Sequence, residues 1–295
     1  MQHVVTAPRA PFPIAGGALV VHQIPVAHDN LVWVLVSAAA GEAAVVDGPP
    51  DATAVLACCE AEGVRLTTVM NTHTHWDHIG INQALEKLGL LAGMRVIGPA
   101  GKAADVPGLT EPVGEGSTLE LFGVPVRVLL TEGHIDGHVS YVLEGAVFCG
   151  DTLFAGGCGY LFDGPPAKMA RSLQRLCELP GDTLVCCAHE YTEDNLRFAW
   201  MVEPDNAALA ERIRAVWAIR ADGGCSVPST IEEERATNPF VRGGSPTLAA
   251  NVRAFREPAG TDRESHSRSY VEVFAATRAL KDSKRHREVD LHLPL

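Results

Sequence analysis

The 295-residue sequence lacks three things that would each point to a particular class of protein. It has no CxxC spacing among its eight cysteines, Cys58, Cys59, Cys149, Cys158, Cys177, Cys186, Cys187 and Cys225. Two of the pairs are vicinal, a strained geometry for a disulfide, and most sit in apolar stretches such as LVCCAHE. They read as small buried hydrophobes in a reducing compartment, with no metal or redox role. It also lacks a long apolar run: the longest, around Leu31 to Ala40, is too short to span a bilayer. The opening MQHVVTAPRAPFPIAGG has no basic start followed by an apolar core, so it does not read as a secretory signal. The expected location is the cytoplasm, with no membrane contact. Finally, there is no excess of basic charge. A net charge of −12 argues against a nucleic-acid partner.

What remains is ordinary for a soluble globular protein, with 46% apolar and 20% charged residues. The charge is unevenly spread. Residues 1–190 hold 9 basic and 20 acidic side chains, whereas residues 191–295 hold 15 and 16. A local basic stretch, TRALKDSKRHRE, lies at 277–288. The secondary-structure pattern divides at the same place. Strands are predicted at 18–24, 31–37, 43–47, 66–71, 95–97, 118–122, 124–130, 140–143, 147–149 and 184–188. Helices are predicted at 52–62 and 81–88 in the first part, then at 195–201, 207–221 and 269–280. Residues 222–247, rich in Gly, Pro and Ser, read as a long connection. The domain expectation is therefore a strand-rich domain over 1–190 and a smaller helical region over 191–295.

The richest chemistry lies in NTHTHWDHIG, residues 71–80, where His73, His75, Asp77 and His78 crowd into six positions. Imidazole and carboxylate are the side chains of metal sites, and this loop directly follows a predicted strand. Four more candidates also follow strands: His134 and His138 in TEGHIDGH, Asp151 in FCGDTLF and His189 in VCCAHEY. All could converge on one rim of a sheet sandwich.

This arrangement, HxHxDH followed by distant His, Asp and His, resembles the metallo-β-lactamase superfamily. The resemblance implies an α+β fold, a metallo-β-lactamase-type αββα sandwich with a C-terminal helical region. By the same resemblance, His73, His75 and His134 would hold one divalent ion, Asp77, His78 and His189 a second, and Asp151 would bridge them. Zinc is the first expectation, with iron or manganese open. Two ions roughly 3.5–4 Å apart would hold a hydroxide that serves as nucleophile, with Asp77 and Asp151 balancing the metal charge. His138 is surplus and is expected to support the ligands from behind. Trp76 is expected to pack, and His3, His22, His28, His266, His286 and His292 show no pattern.

A narrower likeness comes from GDTLFAGGCGYLFDG, CAHEYTEDNLRFA, VEPDNAAL, TNPFVR and RALKD. These resemble the hydroxyacylglutathione hydrolases, glyoxalase II, over residues 18–282. The resemblance implies a metal-dependent thioester hydrolase that converts S-D-lactoylglutathione to glutathione and D-lactate in methylglyoxal detoxification. Arg278 and Lys281, spaced i, i+3, would lie on one helical face and hold a glutathione carboxylate. Tyr191 would contact the glutathione moiety. Lys284, Arg285 and Arg287 are expected to be solvated. One departure stands out: Tyr160 occupies the place of a basic residue, and Phe162 that of a tyrosine. Two alternatives are a related metallo-hydrolase acting on another acyl-thiol or a lactone, and a persulfide dioxygenase with one iron on His73, His134 and Asp151.

Overall fold

A computed structural model describes residues 2–256 and 269–295; His266 lies outside the described residues. The first sheet runs in chain order: β1 (Phe12–Ile14), β2 (Leu19–Val26), β3 (Asn30–Ser37), β4 (Glu42–Val46), β5 (Arg65–Met70), β6 (Arg95–Pro99) and β7 (Glu111–Val113). Between its strands lie α1 (Thr53–Ala61) and α2 (Trp76–Lys87). The second sheet contains β8 (Thr118–Leu121), β9 (Val124–Leu130), β10 (Val139–Leu143) and β11 (Ala146–Gly150). A short ribbon of β12 (Leu153–Phe154) and β13 (Gly157–Cys158) follows, then α3 (Pro166–Leu176) and β14 (Leu184–Cys187). Beyond β14 come α4 (Thr192–Val202), α5 (Ala207–Ala221), β15 (Ser229–Thr230), α6 (Ile231–Thr237), α7 (Pro246–Arg256) and α8 (Tyr270–Asp282). The second sheet has the order β15-β14-β11-β10-β9-β8.

Strand periodicity explains the layering. In β3, NLVWVLVS, side chains alternate between faces, yet both faces are buried. Leu31, Trp33 and Leu35 join the cluster between the sheets; Val32, Val34 and Val36 join a second cluster with Val55 and Cys59 of α1 and Ile81 and Leu85 of α2. Such a strand carries no polar face, and each fully buried Val or Leu contributes about 1.5–3 kcal/mol. On the other sheet, Val124, Val126 and Val128 turn inward while Pro125 and Arg127 are exposed. Met169, Leu173 and Leu176 of α3 pack into the same central cluster, as do Phe274 and Leu280 of α8. The result is an αββα sandwich with further helices at its C-terminal end.

Most predicted strands appear within a residue or two. Two differences have physical causes. The α2 helix starts at Trp76, five residues before the predicted 81, because tertiary backbone bonds hold its first turns. Gly48 N donates to His78 O, and Ile81 N donates to Gly48 O. The connection at 222–247 is not structureless. It supplies β15, which pairs with β14, and α6, whose first turn is capped by Thr230 and carries Glu232, Glu233 and Glu234. Helices α3 and α7 are further elements beyond those predicted. Trp76, expected to pack, is 67% exposed at the start of α2.

Candidate metal centre

The chain reverses after β5 and places His73 and His75 ahead of α2, while Asp77 and His78 occupy the helix's first turn. Asn71 braces this turn: its amide donates to His78 O and Asn82 Oδ1, and Tyr141 donates its hydroxyl to Asn71 O. His134 comes from the loop after β9, Asp151 from the end of β11 and His189 from just beyond β14. Each therefore follows a strand, and the sandwich brings all seven predicted ligands to one rim.

They fall into two groups. In the first, His73 Nε2 and His134 Nε2 each lie 3.0 Å from His75 Nδ1, and Asp151 Oδ2 is 3.4 Å from His134 Nε2. In the second, Asp77 Oδ2 lies 3.7 Å from His78 Nε2 and 3.5 Å from His189 Nε2. Asp151 Oδ1 lies 3.5 Å from each of those two nitrogens. Asp151 thus gives one oxygen to each group. Asp47, His73 and His78 also lie close enough to share an ion. However, Asp47 is already taken: it accepts from Thr72 N (2.8 Å), Thr72 Oγ1 (2.7 Å) and pairs with His78 Nδ1 (2.9 Å).

The donors fit a divalent cation. His78 Nε2 and Asp151 Oδ1 are buried without a hydrogen-bond partner, and both face the second group. Leaving such atoms unsatisfied costs about 1–3 kcal/mol each, and a cation between them removes that cost. Burial, reinforced by the neighbouring imidazoles, pushes His73 well below the ordinary histidine value. Burial also lowers His134 and His75, against the pull of Asp151. Neutral imidazole is the ligand form. Burial would lower His78 too, but Asp151 and Asp47 outweigh it and raise it to about 9. That nitrogen sits where positive charge is favoured. The site is a divalent-metal centre built from nitrogen and oxygen donors.

Five of the seven, all but His75 and Asp151, have a partner behind the ligand side chain, and none of these five contacts is expected from the sequence. His78 Nδ1 meets Asp47, His189 Nδ1 meets Asp29 Oδ1 at 2.8 Å, His134 Nδ1 meets Tyr160 O at 2.7 Å, and Asn30 Nδ2 donates to Asp77 Oδ2 at 2.9 Å. His73 Nδ1 lies 3.1 Å from Thr72 Oγ1. Such partners fix the ring orientation and tautomer. His138 stands outside the converging atoms. It accepts from Asp151 N at 3.2 Å and stacks on His73. A Cβ on Gly150, whose φ is +47°, would collide with Thr72 and His138. One on Gly159 would collide with Asp151 O. Both glycines let the backbone close around the ligands.

Exposed aromatics border the opening. Phe162, 61% exposed, meets His75 and His134 edge-on, with centroids 5.3 and 5.2 Å away. Tyr160, 52% exposed, packs edge-on against Phe162. Tyr191 lies parallel to His189 at 4.8 Å. The two predicted carboxylate-binding cations are each only 8% exposed and already have partners. Arg278 donates to Asp282 Oδ1 (2.6 Å) and Cys158 O (3.2 Å), with its guanidinium over Phe240. Lys281 donates to Asp194 Oδ2 (2.6 Å) and Asp194 O (3.0 Å). Asp194 also pairs with Arg287 and with His286, so neither is a free surface charge, and His286 is buried.

Comparison with known proteins agrees with this geometry. Residues 30–189 match the model of the metallo-beta-lactamase superfamily, and residues 190–284 match that of the hydroxyacylglutathione hydrolase C-terminus. The fold and its metal centre make the chain a member of the metallo-β-lactamase superfamily. The ETHE1 protein of Myxococcus xanthus shares that fold, with a TM-score of 0.60 at 23% identity over 88% of this chain and 98% of its own. Two curated relatives narrow the placement. A hydroxyacylglutathione hydrolase of Methylococcus capsulatus is 45% identical over 88% of this chain and 96% of its own length. Another, of Gloeobacter violaceus, is 46% identical over 90% and 99%. Within the superfamily, the chain belongs to the hydroxyacylglutathione hydrolase family.

Proposed function

We propose that this protein hydrolyses a glutathione thioester, S-D-lactoylglutathione, to glutathione and D-lactate. The observation that carries the reading is the rim where both regions meet. Asp151 divides its two oxygens between two ligand groups, and the segment matching the hydroxyacylglutathione hydrolase C-terminus begins at the same rim, beside His189. Residues 1–190 form the metal-binding domain, and residues 191–295 the substrate-recognising region.

Two divalent ions fit the donor set, with zinc first and iron or manganese able to take the same atoms. His73, His75 and His134 would hold one ion, and Asp77, His78 and His189 the other, with Asp151 shared. When bound, the ions supply a water of lowered pKa and polarise the thioester carbonyl. The protein's own contribution is alignment. Asp47 and Asp29 hold the Nδ1 sides of His78 and His189, leaving their Nε2 atoms free to hold an ion when one is bound. Asp77 and Asp151 offset the cationic charge. Tyr160, Phe162 and Tyr191 flank the opening, and Tyr191 would contact the glutathione moiety. Arg278 and Lys281 would recognise a glutathione carboxylate by turning toward it donors that otherwise go to Asp282 and Asp194. The departing thiolate is a good leaving group, so no strong acid is required.

The protein contains eight free cysteines, and no helix among the described residues is long and apolar enough to cross a membrane. These features support a reducing, cytoplasmic setting. The test is anaerobic loss of the S-D-lactoylglutathione thioester with metal-loaded protein. Rapid turnover is the expected result. A metal-replete protein without turnover overturns the substrate assignment, and oxygen uptake with glutathione persulfide would put a dioxygenase in place of the hydrolase.

A further inference from the structure

Glu234 of α6 is fully buried, and its carboxylate joins three segments. Its Oε1 accepts from Arg212 Nη2 at 2.6 Å, on α5. Its Oε2 accepts from Asn238 Nδ2 at 2.8 Å and from the backbone N–H of Gly156 at 2.9 Å. Gly156 lies at the turn of the β12–β13 ribbon. Asn238 reaches the same ribbon, donating to Gly157 O at 2.9 Å. Asn195 of α4 donates to Ala155 O at 3.1 Å. The helical region thus grips the ribbon's turn from three sides.

The ribbon is short, and both of its ends are in the metal centre. It begins two residues after Asp151 and ends two residues before Tyr160, whose carbonyl orients the His134 ring at 2.7 Å. Gly159 lies so close to Asp151 that no side chain fits between them. A displacement of the turn therefore passes to His134 and Asp151, which both belong to the first ligand group. We propose that Glu234 is a positioning residue for the metal centre, acting through the ribbon and the Tyr160 carbonyl on His134. The helical region then shapes the metal centre as well as the substrate pocket. The charge is needed because all three partners are donors. A neutral amide would turn its own N–H groups toward one of them.

The inference about turnover rests on the proposed thioesterase activity, but the metal readout does not. Cobalt(II)-loaded full-length protein is compared in wild type and in Glu234→Gln, Asn238→Ser and Arg212→Lys variants. The readouts are the cobalt absorption spectrum, metal affinity by chelator competition, and kcat and KM. For Glu234→Gln the spectrum shifts, and metal affinity and kcat each fall on the order of 10–100-fold, the range seen when a ligand's outer partner is lost. KM stays within about twofold, because the loss falls on the chemical step. Asn238→Ser, which keeps the Arg212–Glu234 pair, shifts the same readouts by less. Arg212→Lys leaves Glu234 on the ribbon and lowers Tm while leaving the spectrum unchanged. The proposal is overturned if Glu234→Gln lowers Tm but keeps the wild-type spectrum and affinity, or if all three variants change only in proportion to Tm. If Glu234→Gln does not fold, Asn238→Ser decides by the same criteria. A shifted spectrum in a protein inactive on lactoylglutathione would sustain this inference while defeating the proposed reaction.

Discussion

The metal centre and the cation pair of α8 are both dense polar sites, yet they are completed in opposite ways. Around the metal centre, outward atoms are matched by protein partners while inward atoms converge, and two of them, His78 Nε2 and Asp151 Oδ1, find nothing. Around α8, the charges are matched within the chain: Arg278 by Asp282 and Lys281 by Asp194. One site is finished only by something from outside. The other is finished already and must be reopened or shared to take a ligand. The first arrangement suits a tightly held cofactor, whose binding removes a cost. The second suits a substrate that arrives and leaves on every turnover, since the cations are never left unpaired.

The most forceful way to break this contrast is Asp151→Ala. It removes an oxygen from both ligand groups, so metal content and thioester turnover should fall together. The drop should be at least about 100-fold, beyond the usual cost of losing an outer partner alone. Metal analysis alongside kinetics checks it; full occupancy with normal rates would remove Asp151 from the centre. A smaller effect is expected at α8. Arg278→Ala and Lys281→Ala should each raise KM roughly tenfold, ~1.4 kcal/mol, with kcat nearly unchanged, because a remote carboxylate contact holds ground state and transition state alike. A lowered kcat at constant KM would contradict that role. The smallest effect sharpens the comparison through pH. Burial opposes the ionisation of Asp194, but His286, Arg287 and Lys281 outweigh it and hold its carboxyl far below the usual range. A depressed acid adds stability that is complete above its unfolded value of about 3.9 and is lost as pH falls toward its folded value. Asp194→Asn should therefore flatten the loss of stability below about pH 4, read as urea midpoints in variant and parent. Parallel curves for the two proteins would exclude Asp194 as the source.

The converging side chains are legible because each follows a strand, and HTHWDH packs four of them into six residues. Their supporting partners are not. Asp47, Asp29 and Asn30 lie far from the histidines in sequence and form no repeat. In hindsight, Asp47 carries a faint signal, an aspartate ending the apolar run AAVV just before a glycine. Its φ of +57° is a strained setting for a residue that Thr72 and His78 hold in place. The start of α2 was misplaced because bonds from Gly48, rather than local propensity, hold its first turns. Trp76, expected to pack, instead points outward at the helix start. The i, i+3 spacing of Arg278 and Lys281 is legible, and Asp282 stands four residues after Arg278, whereas Asp194 and Cys158, distant in the chain, leave no such signal.

The small strand β15 has a further consequence. It lies in the last third of the chain, yet it is the outermost strand beside β14 in a sheet otherwise complete by residue 187. While the chain leaves the ribosome, β14 has an open row of N–H and C=O groups until about forty more residues have followed. Such a bare edge is a template on which another chain can pair, and β15 covers it at Leu184 and Val185 once it arrives.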